Sequence, residues 1–186
     1  MIALCVGHSR PGDSGAISTG GISEHSYNSR LAAAVASMLT ARGRACAVID
    51  AYQGKSYGAA MKWLGGHLAK LKASVAIEFH FNAADNPAAS GHEWLYWNGS
   101  SEGRVLAKFF ARRMAEAFPV LPARGIKGVY QKDNGAGFLS ATPCPALIAE
   151  PFFGSNETDW ELFTTHMIRL AQVYADALCD WKGETP

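Results

Sequence analysis

Short apolar runs alternate with longer stretches of helical period along the 186 residues. That alternation is the signature of an α/β domain built on a largely parallel sheet. Ile2 to Gly7, Cys46 to Asp50, Ser74 to Phe79, Glu93 to Trp97 and Ala146 to Glu150 read as strands, each short and nearly continuously apolar, as strands covered on both faces are. Between the first two, Ser29 to Arg42 sets Leu31, Val35, Met38 and Leu39 on one stripe, and Gly43 is available to end the helix in a left-handed conformation. Tyr57 to Lys72 continues the pattern with Met61, Leu64, Leu68 and Leu71, across a Gly65-Gly66 pair that weakens an unbroken helix. Ser100 or Ser101 caps a helix to Phe118, with Leu106, Phe110 and Met114 inward and Arg104, Lys108, Arg112 and Arg113 on a solvated face. One last long helix starts between Asn156 and Thr158 and carries Trp160, Phe163, Met167, Leu170, Tyr174 and Leu178 toward the core. The reading is a single domain over residues 1–186, a mostly parallel twisted sheet of about five to six strands with helices on both faces.

Composition narrows the function classes. Hydrophobic residues make up 48% and charged ones 18%, enough for a core without metal or disulfide staples. With 17 Lys plus Arg against 16 Asp plus Glu, the net charge gives no general reason to bind nucleic acid or an anionic bilayer. The apolar start Met1 to Gly7 is far shorter than a membrane span and has no basic segment before it, so no signal peptide and no integral membrane segment are expected, and the chain reads as made in the cytosol. Cys5, Cys46, Cys144 and Cys179 are scattered with no Cys-x-x-Cys pair and read as reduced core thiols, Cys5 as a small buried hydrophobe despite its closeness to His8.

Polar segments lie at Ser9 to Asn28, Asn82 to Ser90 and Arg124 to Pro145. The third, rich in glycine, reads as a loop facing a ligand. Three ionisable residues fall at the carboxyl ends of separate strands: His8, His80 and Glu150, with Asp50 a weaker fourth. In an open parallel sheet those ends meet at one crevice. Two imidazoles and a carboxylate there form the ligand set of a catalytic zinc with one position left for water, and Glu24 in the loop after His8 is the candidate carboxylate. Glu150 is then free to act as general base and acid. Each residue also has a plain alternative: a hydrogen-bonded structural histidine, a helix N-terminal charge at Glu24, an arginine partner for Glu150. His25 could replace Glu24, whereas His67, His92 and His166 read as surface or packing residues.

Four blocks carry a resemblance over nearly the whole chain: Gly7-His8 followed by Asp13-Ser14-Gly15-Ala16; Ser23-Glu24 ahead of Asn28 and Leu31; Phe79-His80-Phe81-Asn82-Ala83; and Pro145 to Glu150 with Phe153, Asn156 and Asp159 downstream. The chain resembles the zinc-dependent N-acetylmuramoyl-L-alanine amidases of the amidase-3 family, found in bacterial cell-wall hydrolases and phage endolysins. The resemblance implies His8, Glu24 and His80 as ligands of one zinc ion per chain and Glu150 as the catalytic carboxylate. Three departures stand out: the loop from His8 to Asp13 is one residue longer, Glu78 replaces a small hydroxyl residue, and Pro151 follows Glu150. Strand alternation puts Glu78 on the face of His80, where it could accept from the imidazole or simply meet a basic partner.

The implied reaction is zinc-dependent hydrolysis of the amide between N-acetylmuramic acid and the L-alanine of the peptidoglycan stem. The partner is peptidoglycan, and a monomer is expected. Without a signal peptide, linker or wall-binding repeats, the chain looks like a phage or prophage endolysin that acts at the wall after release. Asn82, Tyr130, Lys132 and Asn134, with Asp133, are the candidate substrate contacts. A zinc peptidase acting on the stem or cross-bridge and a non-catalytic wall-binding module are the alternatives.

Overall fold

The computed structural model describes residues 1–181. Its centre is one six-stranded sheet of order β2-β1-β3-β6-β4-β5, with β1 Ile2–Val6, β2 Cys46–Ile49, β3 Val75–Phe79, β4 His92–Trp97, β5 Ala123–Val129 and β6 Ala146–Glu150. Strands β2, β1, β3 and β6 run parallel, so the carboxyl ends of β1, β3 and β6 lie together. Strand β4 pairs antiparallel with β6 and parallel with β5. Its reversal brings the start of β4, at His92 and Glu93, to the end of the sheet where β6 finishes.

Helices cover both faces. α1 Glu24–Ala41, α3 Ser101–Ala117, α5 Glu157–Thr165 and α6 Met167–Asp180 enclose a core in which Phe79 stacks on Tyr174 and Phe110 meets both Tyr174 and Trp94. α2 Tyr57–Lys70 and α4 Ala136–Ala141 cover a smaller core around Met61, Leu64, Phe138 and Ile148 on the other face. Cys5 is fully buried in this smaller core.

The structure departs from the sequence reading at four points. Residues 124–145 are not one loop: β5 and α4 lie within them. β5 is an edge strand exposed along most of its length, so it carries no apolar run to betray it. α1 begins at Glu24, five residues before Ser29, because Ser23 caps it by accepting from the Ser26 N–H. The last helix is two, α5 and α6, divided at an exposed His166 with φ −113° and ψ 29°. Finally, α2 runs unbroken through Gly65-Gly66, where a side chain on Gly65 would strike the carbonyl of Ala141 at the start of the chain's exit from α4.

Candidate metal centre

Gly7 follows β1 and His8 turns out of the sheet with φ 58°, a left-handed backbone that costs a non-glycine residue energy and is held by its surroundings. Ser9 helps to hold it, its hydroxyl donating to the Val6 carbonyl at 2.7 Å. His80 follows β3 directly, and Glu24 is the first residue of α1, 4% exposed.

The three side chains meet around the Glu24 carboxylate. Oε1 lies 2.8 Å from His80 Nδ1 and accepts the Phe81 N–H at 3.2 Å. Oε2 lies 3.3 Å from His8 Nε2 and accepts the Ala16 N–H at 3.1 Å. Each imidazole meets a further carboxylate at its other nitrogen, Asp13 Oδ1 at 2.9 Å from His8 Nδ1 and Glu78 Oε2 at 3.2 Å from His80 Nε2. Two glycines make the close approach possible. A Cβ on Gly7 would overlap the His80 ring, and one on Gly15 would fall against Glu24 Oε2 and His8 Cδ2.

Two imidazoles and one carboxylate can each offer a ligand atom here, all within 4.8 Å of one another. This is the donor set of a zinc site with three protein ligands, and the carboxylates behind the imidazoles are the orienting partners such ligands take. The residues present therefore fit a divalent zinc ion. Burial would raise the Glu24 pKa, but hydrogen bonds from His8 and His80 outweigh it and bring it down to about 2. Burial likewise opposes charge on the imidazoles, yet the bond to Glu24 leaves both raised, His80 well above its ordinary value with help from Glu78 and Glu150. The pocket is thus organised to favour positive charge beside Glu24.

A cavity of about 460 Å³ opens on the centre, with His8, Glu78, His80 and Glu150 on its polar side. Tyr52, Met61, Leu95 and Ile148 form an apolar wall. Glu150 closes β6 with its Oε2 sealed from solvent and without a hydrogen-bond partner among the described residues. Burial is the main reason its pKa is pushed up to about 8; the fields of Glu24 and Glu93 add to it, while His80 and His8 pull the other way.

The remaining candidates divide. Asp133 and Asn134 line the cavity. Tyr130 is 60% exposed and Lys132 is exposed, neither of them lining it. Asn82 gives its amide N–H to Glu93 at 3.0 Å and so braces β4. Asp50 is exposed, its carbonyl 3.3 Å from His25 Nε2, which turns His25 away from the centre. His67 stacks on Trp63, and His92 accepts from the Trp94 indole, with burial lowering its pKa to about 4. Tyr52 escaped the sequence reading, although it lies just beyond the carboxyl end of β2 and the strand-end rule points there. Asp13 was visible in its motif without a role attached.

Residues 2–180 match the amidase-3 family, N-acetylmuramoyl-L-alanine amidase. Among solved structures, the chain is similar to the CwlD amidase from Clostridioides difficile in complex with the GerS lipoprotein, at TM-score 0.84 and 16% identity over 97% of each chain. A putative N-acetylmuramoyl-L-alanine amidase from Neisseria meningitidis is 28% identical, with TM-score 0.71 over 96% of this chain and 93% of that one. The catalytic domain of the CD27L endolysin targeting Clostridia difficile superposes with TM-score 0.79 at 22% identity over 96% of both. Comparison with curated protein sequences finds no significant match.

Proposed function

The chain belongs to the N-acetylmuramoyl-L-alanine amidase family and is a peptidoglycan amidase, and on that premise we propose that His8, Glu24 and His80 hold one zinc ion while Glu150 is the general base and acid. The observation that carries this is the convergence of three ligand atoms within 4.8 Å beside the half-buried carboxylate of Glu150, one oxygen of which is sealed from solvent, on the wall of the same cavity. When bound, zinc supplies Lewis acidity toward a carbonyl oxygen and toward water.

The chain's own residues do the rest. Glu24 offsets cationic charge and is kept from turning by the N–H groups of Ala16 and Phe81. Glu150, with an unpartnered oxygen, takes the proton of the attacking water and returns it to the departing L-alanine amine. The apolar wall limits water around the scissile amide, and Asn134 on the cavity rim is a candidate contact for the glycan or stem.

We assign the chain an endolysin role as the biological reading: synthesis in the cytosol and action on the wall after release, as a monomer. A structurally similar chain is itself an endolysin catalytic domain, and no described helix is long and apolar enough to cross a membrane.

Digestion of purified peptidoglycan followed by mass analysis of the soluble products tests the reaction. Intact stem peptides with a free L-alanine amine are expected, and activity should vanish with a chelator and return with zinc. Release of peptide fragments from an uncut muramoyl amide would make the enzyme a peptidase instead.

A further inference from the structure

We propose that Glu78, clamped by Tyr52, is a positioning residue for His80, fixing the face this imidazole turns to the metal. The inference rests on the zinc reading above. Glu78 sits two residues before His80 on β3, 5% exposed. Its Oε1 accepts from the Tyr52 hydroxyl at 3.1 Å and its Oε2 stands 3.2 Å from His80 Nε2 as an ion pair. Its strand neighbours are Cys5 on β1 and Ile148 on β6, and its ion pair among the described residues is with His80.

A buried carboxylate between a thiol and an isoleucine is costly unless something cationic compensates it. Nothing in the strand packing supplies that charge, so the compensation comes from the imidazole and from the cation it would ligate. The two ring nitrogens of His80 are thereby divided, Nδ1 toward Glu24 at 2.8 Å and Nε2 toward Glu78. His8 shows the same division between Glu24 and Asp13. Tyr52 is 3% exposed, and burial together with the Glu78 charge holds its hydroxyl protonated, so it remains the donor that stops Glu78 from swinging. A ligand imidazole whose far nitrogen is paired with a fixed carboxylate keeps one orientation, and losing that partner typically costs about 10–100-fold in metal affinity.

Zinc Kd values measured by competition with a chromophoric chelator decide the matter for wild type, Glu78→Ala, the near-isosteric Glu78→Gln and Tyr52→Phe, alongside melting of each metal-free protein and the absorption of each cobalt-loaded one. We expect Glu78→Ala to bind zinc about 10–100-fold more weakly, Glu78→Gln to recover part of the loss through its amide oxygen, and Tyr52→Phe to weaken binding less. All should keep the cobalt spectrum of an unchanged ligand set. A purely structural Glu78 would shift melting and leave Kd alone, which overturns the proposal. So would a cobalt spectrum that loses a ligand in the Glu78 variants, since Glu78 would then be a ligand itself. If wild type takes up no zinc, the metal reading falls and this one with it; if wild type and all variants bind equally well, only this one falls.

Discussion

Glu93 and Glu150 stand directly opposite each other across the antiparallel pairing of β4 and β6, two carboxylates on adjacent strands with very different surroundings. Glu93 is met by Arg124 at 3.0 Å and Lys127 at 2.6 Å. Burial would raise it, but those cations outweigh burial and keep its pKa low. Glu150 has no such pair among the described residues and is pushed up to about 8. Replacing Glu93 with Gln removes a repelling charge and releases two cations, so the acidic limb of the kcat/KM profile should move to lower pH. An unmoved limb would mean that a group other than Glu150 is the base.

Glu150→Gln should lower turnover by about 10²–10⁴ with zinc content unchanged, read by muropeptide release and metal analysis. It should also change metal-free stability. In the folded chain Glu150 keeps its proton up to about pH 8, against 4.5 when unfolded, so the native state binds the extra proton between those values and stability falls as pH rises through that window, with a slope of up to about 1.4 kcal/mol per unit. Denaturant titrations across it should lose that part of the slope in Glu150→Gln.

With the proposed ligand set, protons and zinc would compete for the same imidazoles. His8 and His80 are raised above 6.5 because Glu24 outweighs their burial, so in the metal-free protein their stabilising pairing is whole below 6.5 and is lost as pH climbs through the folded values. Glu24, brought down to about 2, contributes above 4.5 and loses its contribution as pH falls toward 2. Zinc uptake near neutral pH should therefore expel on the order of one to two protons per ion, measured calorimetrically in buffers of different ionisation enthalpy. Uptake without proton release would show that the imidazoles are not ligands.

Gly7→Ala should disturb the metal centre more than the core. The added methyl overlaps the His80 ring, and overpacking of this kind costs about 1–3 kcal/mol. Zinc affinity should fall by at least about tenfold while the far-ultraviolet circular dichroism stays native. Unchanged Kd in a folded Gly7→Ala protein would mean that the ring has room to move.

Asp159 works at a distance from the centre. It is 2% exposed and accepts from the Ser90 hydroxyl at 2.7 Å and from the N–H groups of Gly91 and Phe153, tying the segment before β4 to the chain after β6. Asp159→Ala orphans two backbone donors, each costing about 1–3 kcal/mol, and should lower the urea midpoint sharply. A midpoint equal to wild type would indicate that solvent reaches those groups.

What the sequence made legible follows from how much a residue's own neighbours reveal. His8, His80 and Glu150 stand out because buried parallel strands are continuous apolar runs and a polar residue ends each one. β5 could not be read that way: Arg124-Gly125-Ile126-Lys127-Gly128 has one apolar residue, since an edge strand open to water needs no apolar face. The split at His166 was hidden because apolar spacing continues through Phe163, Met167 and Leu170 on both sides of it. Asn82 was placed near the centre by its neighbour His80, but Glu93 claims its side chain, a partner that only the reversed strand β4 brings close. Tyr52 sits in a short connection whose return to the sheet depends on a tertiary hydrogen bond to the Ser9 carbonyl.

Strand β5 closes one side of the sheet with an unpaired rim. An uncovered rim is a template on which a second chain can lay a strand. Arg124 and Lys127 both lie on it, the first also resting over the Phe153 ring at 4.9 Å, so the cations that meet Glu93 also put charge on that rim, where charge disfavours the addition of another strand. The charge that meets Glu93 beside Glu150 and the charge on the open rim are thereby carried by the same two side chains, so a neutral substitution at either position removes part of both.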